Sequence, residues 1–210
     1  MSIRAVGPLF AVMLAVTAAN AASRDVGGLA GKLKSAATFC NETYALCIKA
    51  PCTPIASPGS DEIDSALCTC DVVEGWSMGP ASCSARKPVQ QGRYRFLMST
   101  YSNLYNATNK TLSCASAKTE WAWCYGAPCV VDPSDPKKAS CTCPVKQSAA
   151  NTLGGDCHQL ACAGLWSAAT PTADAGANAI FAAYMKKKNP TVPSLPPAEA
   201  CPATLAPGAR

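Results

Sequence analysis

This chain has little of what chemistry at an active site needs. Its 210 residues hold a single histidine, His158, and only 15% of them are charged and 7% aromatic. No Gly-x-Ser-x-Gly or His-Glu-x-x-His pattern occurs, so serine-triad and zinc-hydrolase chemistry have no sequence basis. There is no Cys-x-x-Cys pair either, which removes the thioredoxin-type redox motif and the zinc knuckle together. A calcium loop of the Asp-x-Asp-x-Asp-Gly type is also missing. Hydrolysis by two carboxylates remains as chemistry. However, Asp61, Glu62 and Asp64 sit in a Ser/Gly/Pro turn, and Asp132 and Asp135 sit among prolines, where acids are solvated. The expectation is a protein that is not an enzyme and carries no cofactor and no metal ligand.

Charge and hydropathy exclude more. A net charge of +5 is too mild for a nucleic-acid binder, and the one basic run, Lys186-Lys187-Lys188, falls at the end of an alanine-rich helical stretch, where cations complement exposed carbonyls. The apolar run from Ala5 to Ala19 follows one cation, Arg4, and precedes the small-residue pattern Ala19-Asn20-Ala21. That order is a secretory signal peptide over residues 1–21, cut after Ala21, and its loss lowers the net charge from +5 to +4. Beyond it no stretch is long and apolar enough to span a bilayer, so the mature chain is expected to have no membrane span.

What the sequence has in abundance is cysteine, and it is written twice. Cys40, Cys47, Cys52, Cys68, Cys70 and Cys83 recur in order as Cys114, Cys124, Cys129, Cys141, Cys143 and Cys157. Ala50-Pro51-Cys52 is answered by Ala127-Pro128-Cys129, and Cys68-Thr69-Cys70 by Cys141-Thr142-Cys143. An even count of 14 in an exported chain reads as a disulfide framework, with Cys162 and Cys201 as a further pair tying back the tail. The two cysteines of Cys-Thr-Cys project to one face of a strand and each needs a separate partner. Cys68 and Cys70 are therefore expected to meet Cys47 and Cys52, and Cys40 to meet Cys83, with the second unit a copy.

The expected architecture is a small disulfide-rich α+β protein of two tandem, pseudo-symmetric hairpin-plus-helix repeats. A lead-in covers residues 22–39, the first repeat 40–112, the second repeat with its helix 113–188, and a Pro-rich tail 189–210. Tyr44 to Ile48 and Ala66 to Val73 read as strands of the first unit, and Trp121 to Val131 and Ala139 to Val145 as strands of the second. Phe96-Leu97-Met98-Ser99 aligns with Gly164-Leu165-Trp166-Ser167, and each leads toward helix-compatible sequence. The clearest helix runs from Ala173 to Lys188, with Thr172 as its cap and Ala177, Ile180, Phe181 and Tyr184 on one face. Tyr94 and Phe96, interleaved with Arg93 and Arg95, read as an edge strand.

Cys-Thr-Cys-Pro-Val at 141–145, with Gly154-Gly155-Asp156-Cys157 and Leu165-Trp166-Ser167, resembles stretches of uncharacterised cysteine-rich secreted proteins of Gram-negative bacteria. The resemblance covers mainly the second unit and implies a bacterial exported origin, secreted or periplasmic, without an activity. The sequons at Asn41, Asn106 and Asn109 would be glycosylated in a eukaryotic secretory pathway; beside a bacterial type of signal they read as coincidence.

Two surfaces stand out for recognition. Trp121, Trp123 and Tyr125 alternate, so one extended strand would place all three on one face, fit for a sugar ring or a partner protein; packing between the units explains the same strip. The loops Thr53 to Leu67 and Val130 to Ser140 are clamped by cysteines, and Lys137 and Lys138 on the second would suit a trypsin-like pocket. The functional expectation is a secreted or periplasmic binding or interaction protein, its partner an extracytoplasmic protein or glycan. The alternatives are a double-headed proteinase inhibitor and a soft-metal, copper-binding protein, the latter from the Cys-x-Cys pairs with Met78, Met98 and Met185.

Overall fold

The period-two pattern of Cys68-Thr69-Cys70 and Cys141-Thr142-Cys143 is realised in two strands that pair at the centre of one large sheet. In the computed structural model, residues 37–56, 63–104, 111–153, 164–188 and 199–201 are described. The signal segment, His158, Cys157, Cys162 and all of the tail except residues 199–201 lie outside them. The strands are β1 (Thr38–Leu46), β2 (Cys52–Ile55), β3 (Ser65–Gly79), β4 (Val89–Gln91), β5 (Tyr94–Met98), β6 (Thr111–Cys114), β7 (Glu120–Ala122), β8 (Pro128–Val131), β9 (Lys138–Gln147), β10 (Ala150–Leu153) and β11 (Glu199–Ala200), with one helix, α1 (Pro171–Lys188), between the last two.

The main sheet runs β1-β3-β9-β8-β5-β4, with β2 sharing the β1 edge of β3 and β7 the β8 edge of β9. A smaller sheet places β6 between β10 and β11. In the central antiparallel pair Cys68 stands opposite Cys141. Cys52 stands opposite Cys68 on one side and Cys129 opposite Cys141 on the other, so one row of register carries four half-cystines across β2, β3, β9 and β8. Bridges join Cys52 to Cys68 and Cys129 to Cys141, with Cα atoms 4.0 and 4.1 Å apart. Cys47–Cys70 and Cys124–Cys143 flank that row, and Cys40–Cys83 pins the far end of β1. These five bridges follow the pairing expected from the strand geometry. Cys114 and Cys201 are disulfide-bonded too; the pairings expected for Cys157 and Cys162 lie outside the described residues.

The core beneath the sheet is sulfur and alanine. Cys68, Cys129, Cys141 and Cys143 are fully buried with Ala45, Ala66, Ala122 and Ala139, and Leu97 and Val131 are the only buried Leu or Val side chains among them. Aliphatic packing is correspondingly thin, and covalent bridges stand in for it. A second cluster forms where α1 docks its Ala177, Phe181 and Met185 on Met78, with Phe39 and Trp76 beside them. Phe39 stacks on Tyr184 at 3.9 Å. The helix that follows the second set of strands thus packs on β1 and β3 of the first. Its cap is Thr170 rather than Thr172: the Thr170 hydroxyl accepts from Ala173 N–H at 3.2 Å, which leaves Pro171 at the first helical position, where its missing N–H costs nothing.

The α+β expectation of a helix in each unit gives way to a mostly β protein. The alternation of Tyr94 and Phe96 is realised as a strand: Val89 to Met98, with Gly92 at φ 58°, forms the β4–β5 hairpin, and residues 99–104 after it are not helical. β5 is also interior, between β4 and β8, so the edge is β4. Trp121 to Val131 is not one extended strand: it breaks after Ala122 and turns at Gly126, whose φ of 80° favours glycine.

Corresponding positions of the two cysteine series make corresponding contacts. Thr100 N–H donates to Ala45 O, and Ala168 N–H to Ala122 O; Ser99 N–H donates across to Ala127 O, and Ser167 N–H across to Ala50 O. Met78 bridges Tyr101 as Asn151 bridges Ala169. One close approach is specific to the first series. A Cβ on Gly79 would lie 1.8 Å from Arg86 Nη1 and 2.8 Å from Thr100 Cγ2. Gly79→Ala is therefore expected to lower stability by about 3 kcal/mol, measured by urea unfolding, because the buried guanidinium has nowhere to retreat.

Candidate functional site

A cleft of about 680 Å³, counted with its open mouth, lies where the two cysteine series meet under the start of α1. Its walls are built from matched positions. Cys47 faces it with Cys124, and Ser99 with Ser167. At the other matched positions the side chains have diverged: Ile48 against Tyr125, Met78 against Asn151, Thr100 against Ala168, Tyr101 against Ala169. Each such pair sets a polar or aromatic group opposite an apolar or smaller one, so a near-symmetric crevice becomes amphipathic. α1 closes it with Ala173, Asp174 and Ala177, the first turns of a helix whose small residues leave room.

The polar groups are held by one network. Asn151 Nδ2 donates to Asp174 Oδ2 at 3.1 Å, and Asn178 Nδ2 donates to Asp174 Oδ1 at 3.1 Å. The Tyr101 hydroxyl donates to Asn178 Oδ1, which fixes that amide with its nitrogen toward Asp174. Asp174 is 7% exposed, and burial raises its carboxyl above the usual carboxylate range; the two amide donors only partly offset this. Burial likewise raises the Tyr101 phenol, and the Tyr125 phenol is pushed up to about 12 by the same cause, moderated by Arg86. Three buried polar atoms of the lining have no partner among the described residues: Asn151 Oδ1, Thr100 Oγ1 and the Tyr125 hydroxyl. Leaving such an atom unpaired costs about 1–3 kcal/mol.

The structure divides the aromatic strip. Trp121 is 4% exposed and donates Nε1–H to Ser148 Oγ at 3.0 Å, which makes it core. Trp123 and Tyr125 are half-buried and line the cleft. The three rings still touch in series, Trp121 edge-on to Trp123 at 5.8 Å and Trp123 to Tyr125 at 6.0 Å, because the chain turns only at Gly126. Lys137 and Lys138 are elsewhere, in the tight β8–β9 turn closed by Lys138 N–H to Asp135 O at 2.9 Å. Lys138 Nζ is paired with Asp71 at 2.6 Å across the central strands, so it is engaged within the molecule.

Asn151, Asp174, Tyr101 and Thr100 escaped sequence reading. The signal that points to Asn151 is its alignment with Met78, a polar residue where its counterpart is apolar. Two sulfur clusters, Cys47 with Cys129 and Cys141 and Cys68 with Cys124 and Cys143, lie within 4.8 Å, but every member is committed to a bridge. No known protein family matches this chain, and no curated protein or solved structure is similar to it.

Proposed function

We propose that this chain is a secreted or periplasmic, disulfide-stabilised binding protein without catalytic activity, and that its ligand is a saccharide seated in the amphipathic cleft. The observation that carries the reading is a cleft walled by Trp123 and Tyr125 whose lining also holds Asp174 and Asn151, the latter with an unpaired amide oxygen. A sugar ring brings apolar C–H faces for the aromatic rings and hydroxyls for the polar atoms. A concave site favours a small ligand over a flat protein surface. The lining presents one carboxyl, Asp174, and no second acid or histidine among the described residues, which supports binding over two-carboxylate hydrolysis. Bridges at this density are compatible with an oxidising compartment, and no helix among the described residues is long and apolar enough to cross a membrane.

The test is calorimetric titration with an oligosaccharide panel. Trp123→Ala is expected to weaken binding by about tenfold or more while the unfolding midpoint stays within a few degrees of the parent. Trp121→Ala is expected to cost about 3–5 kcal/mol of stability, as a large side chain removed from the core does. Binding untouched by Trp123→Ala, or no saccharide bound at all, would refute the assignment.

A further inference from the structure

The geometry points to an amino sugar as the ligand, its ammonium resting on the acceptors Asp174 and Asn151 and its ring against Trp123. This inference rests on the saccharide reading above and narrows it.

Asp174 is a buried carboxyl with no counter-charge among the described residues. Asp174 receives hydrogen bonds from two neutral amides, and among the described residues no lysine or arginine pairs with it. The cations that form ion pairs do so elsewhere, Arg86 with Glu42 and Lys138 with Asp71. The start of α1 supplies partial positive charge, which eases the carboxylate but neutralises only a fraction of it. A carboxylate taken out of water is costly until a cation or a proton joins it.

Beside it stands a second acceptor. The Asn151 amide that donates through Nδ2 to Asp174 leaves its own oxygen buried and unpaired, with the residue 8% exposed. A ligand hydroxyl has one donor to offer and no charge, whereas a protonated amine has three donors and one positive charge. An ammonium therefore answers both deficits at once. The rest of the lining agrees: Tyr101, Trp123 and Tyr125 all face the cleft, and the π-face of an aromatic ring attracts a cation.

The experiment uses the intact, oxidised protein and two probes of one linkage, the β-1,4-linked glucosamine dimer and its di-N-acetylated form, titrated by calorimetry at neutral pH. The cationic dimer is expected to bind about tenfold tighter or better, the margin of one charged hydrogen-bonded contact. Asp174→Asn is expected to abolish that margin and bring the cationic dimer to the affinity of the acetylated one. The variant keeps both amide contacts once the Asn151 amide turns its unpaired Oδ1 toward the new nitrogen, while Oδ1 at 174 still accepts from Asn178. Burial raises the Asp174 pKa, so the folded state holds a proton that the unfolded chain gives up, and stability falls as pH rises through that window. A neutral amide at 174 removes this loss, and the unliganded variant should unfold no earlier than the parent at neutral pH. Equal affinity for the two dimers, or preference for the acetylated one, overturns the amine and leaves the saccharide reading standing. A preference that survives Asp174→Asn overturns the role of Asp174. No binding by either dimer or by any member of the wider panel overturns both readings.

Discussion

Complete reduction is expected to unfold this protein, and reduction under native conditions to proceed in a fixed order. Bridges enclosing sequence separations of 12 to 43 residues each restrict the unfolded chain by about 3–4 kcal/mol on the loop-entropy account. Losing all of them exceeds the 5–15 kcal/mol that holds a typical domain together, at least roughly. Ordinary cores survive such losses through aliphatic burial, but here the central cluster is alanine and half-cystine, with Leu97 and Val131 as the exceptions. The order follows from access. Cys83 is exposed, so among the five bridges between described residues Cys40–Cys83 is the first within reach of a phosphine or dithiol reductant. Cys124–Cys143 and Cys129–Cys141 have both sulfurs buried and should resist until the sheet opens. Differential alkylation followed by peptide mass spectrometry reads the order, and circular dichroism reads the fold. A fully reduced, alkylated chain that still melts cooperatively would refute the view that sulfur replaces the aliphatic core.

Glu42→Gln is expected to cost about 3–5 kcal/mol, the penalty of stranding a buried charge. The Arg86 side chain has no exposed surface, and its Nη1 lies 3.3 Å from Glu42 Oε1. Arg86 Nη2 donates to Thr38 O at 3.1 Å, while Nε is unpaired. Burial pulls the Arg86 pKa down and Glu42 holds it up, so the pair is mutually dependent. Ser77 adds a 2.6 Å hydrogen bond to the same Glu42 oxygen, which the substitution also weakens. Replacing both partners with apolar residues, Glu42→Leu with Arg86→Met, is expected to restore most of the loss, because no unpaired charge is then left inside. Urea unfolding of the two singles and the double forms the cycle; a double variant as unstable as the sum of the singles would mean the pair is only a volume filler. The same pair closes the bend between β3 and β4 behind Tyr125, so the aromatic wall of the cleft is a second readout.

Local rules made much of the framework legible. Cys-Thr-Cys in a strand forces both sulfurs to one face, and that rule anticipated that the two cysteines take separate partners, while the register decided which meets which. The Ala177–Phe181 stripe marked α1 for the same reason, its period matching a helix surface. The failures share a cause as well. The alternation of Tyr94 and Phe96 marks a strand, but nothing local says that β4 and β8 flank it on both sides and take it off the edge. Thr170 and Thr172 both flank Pro171, and only the geometry of the turn chose Thr170. Trp121 and Trp123 are chemically alike, yet one is core and the other lines the cleft, because the chain's position against Ser148 buries the first.

The sequence by itself determined the cysteine framework, the separate partners that each Cys-Thr-Cys pair requires and the position of the helix after Pro171, since each follows from spacing within a few residues. Only the tertiary structure decided where the two cysteine series meet, that α1 of the later segment covers strands of the earlier one, and that Asp174, Asn151 and Trp123 share a cleft. Those residues come from separate stretches of chain, and their meeting depends on the Cys68–Cys141 register of the central pair, a long-range choice that no local pattern encodes.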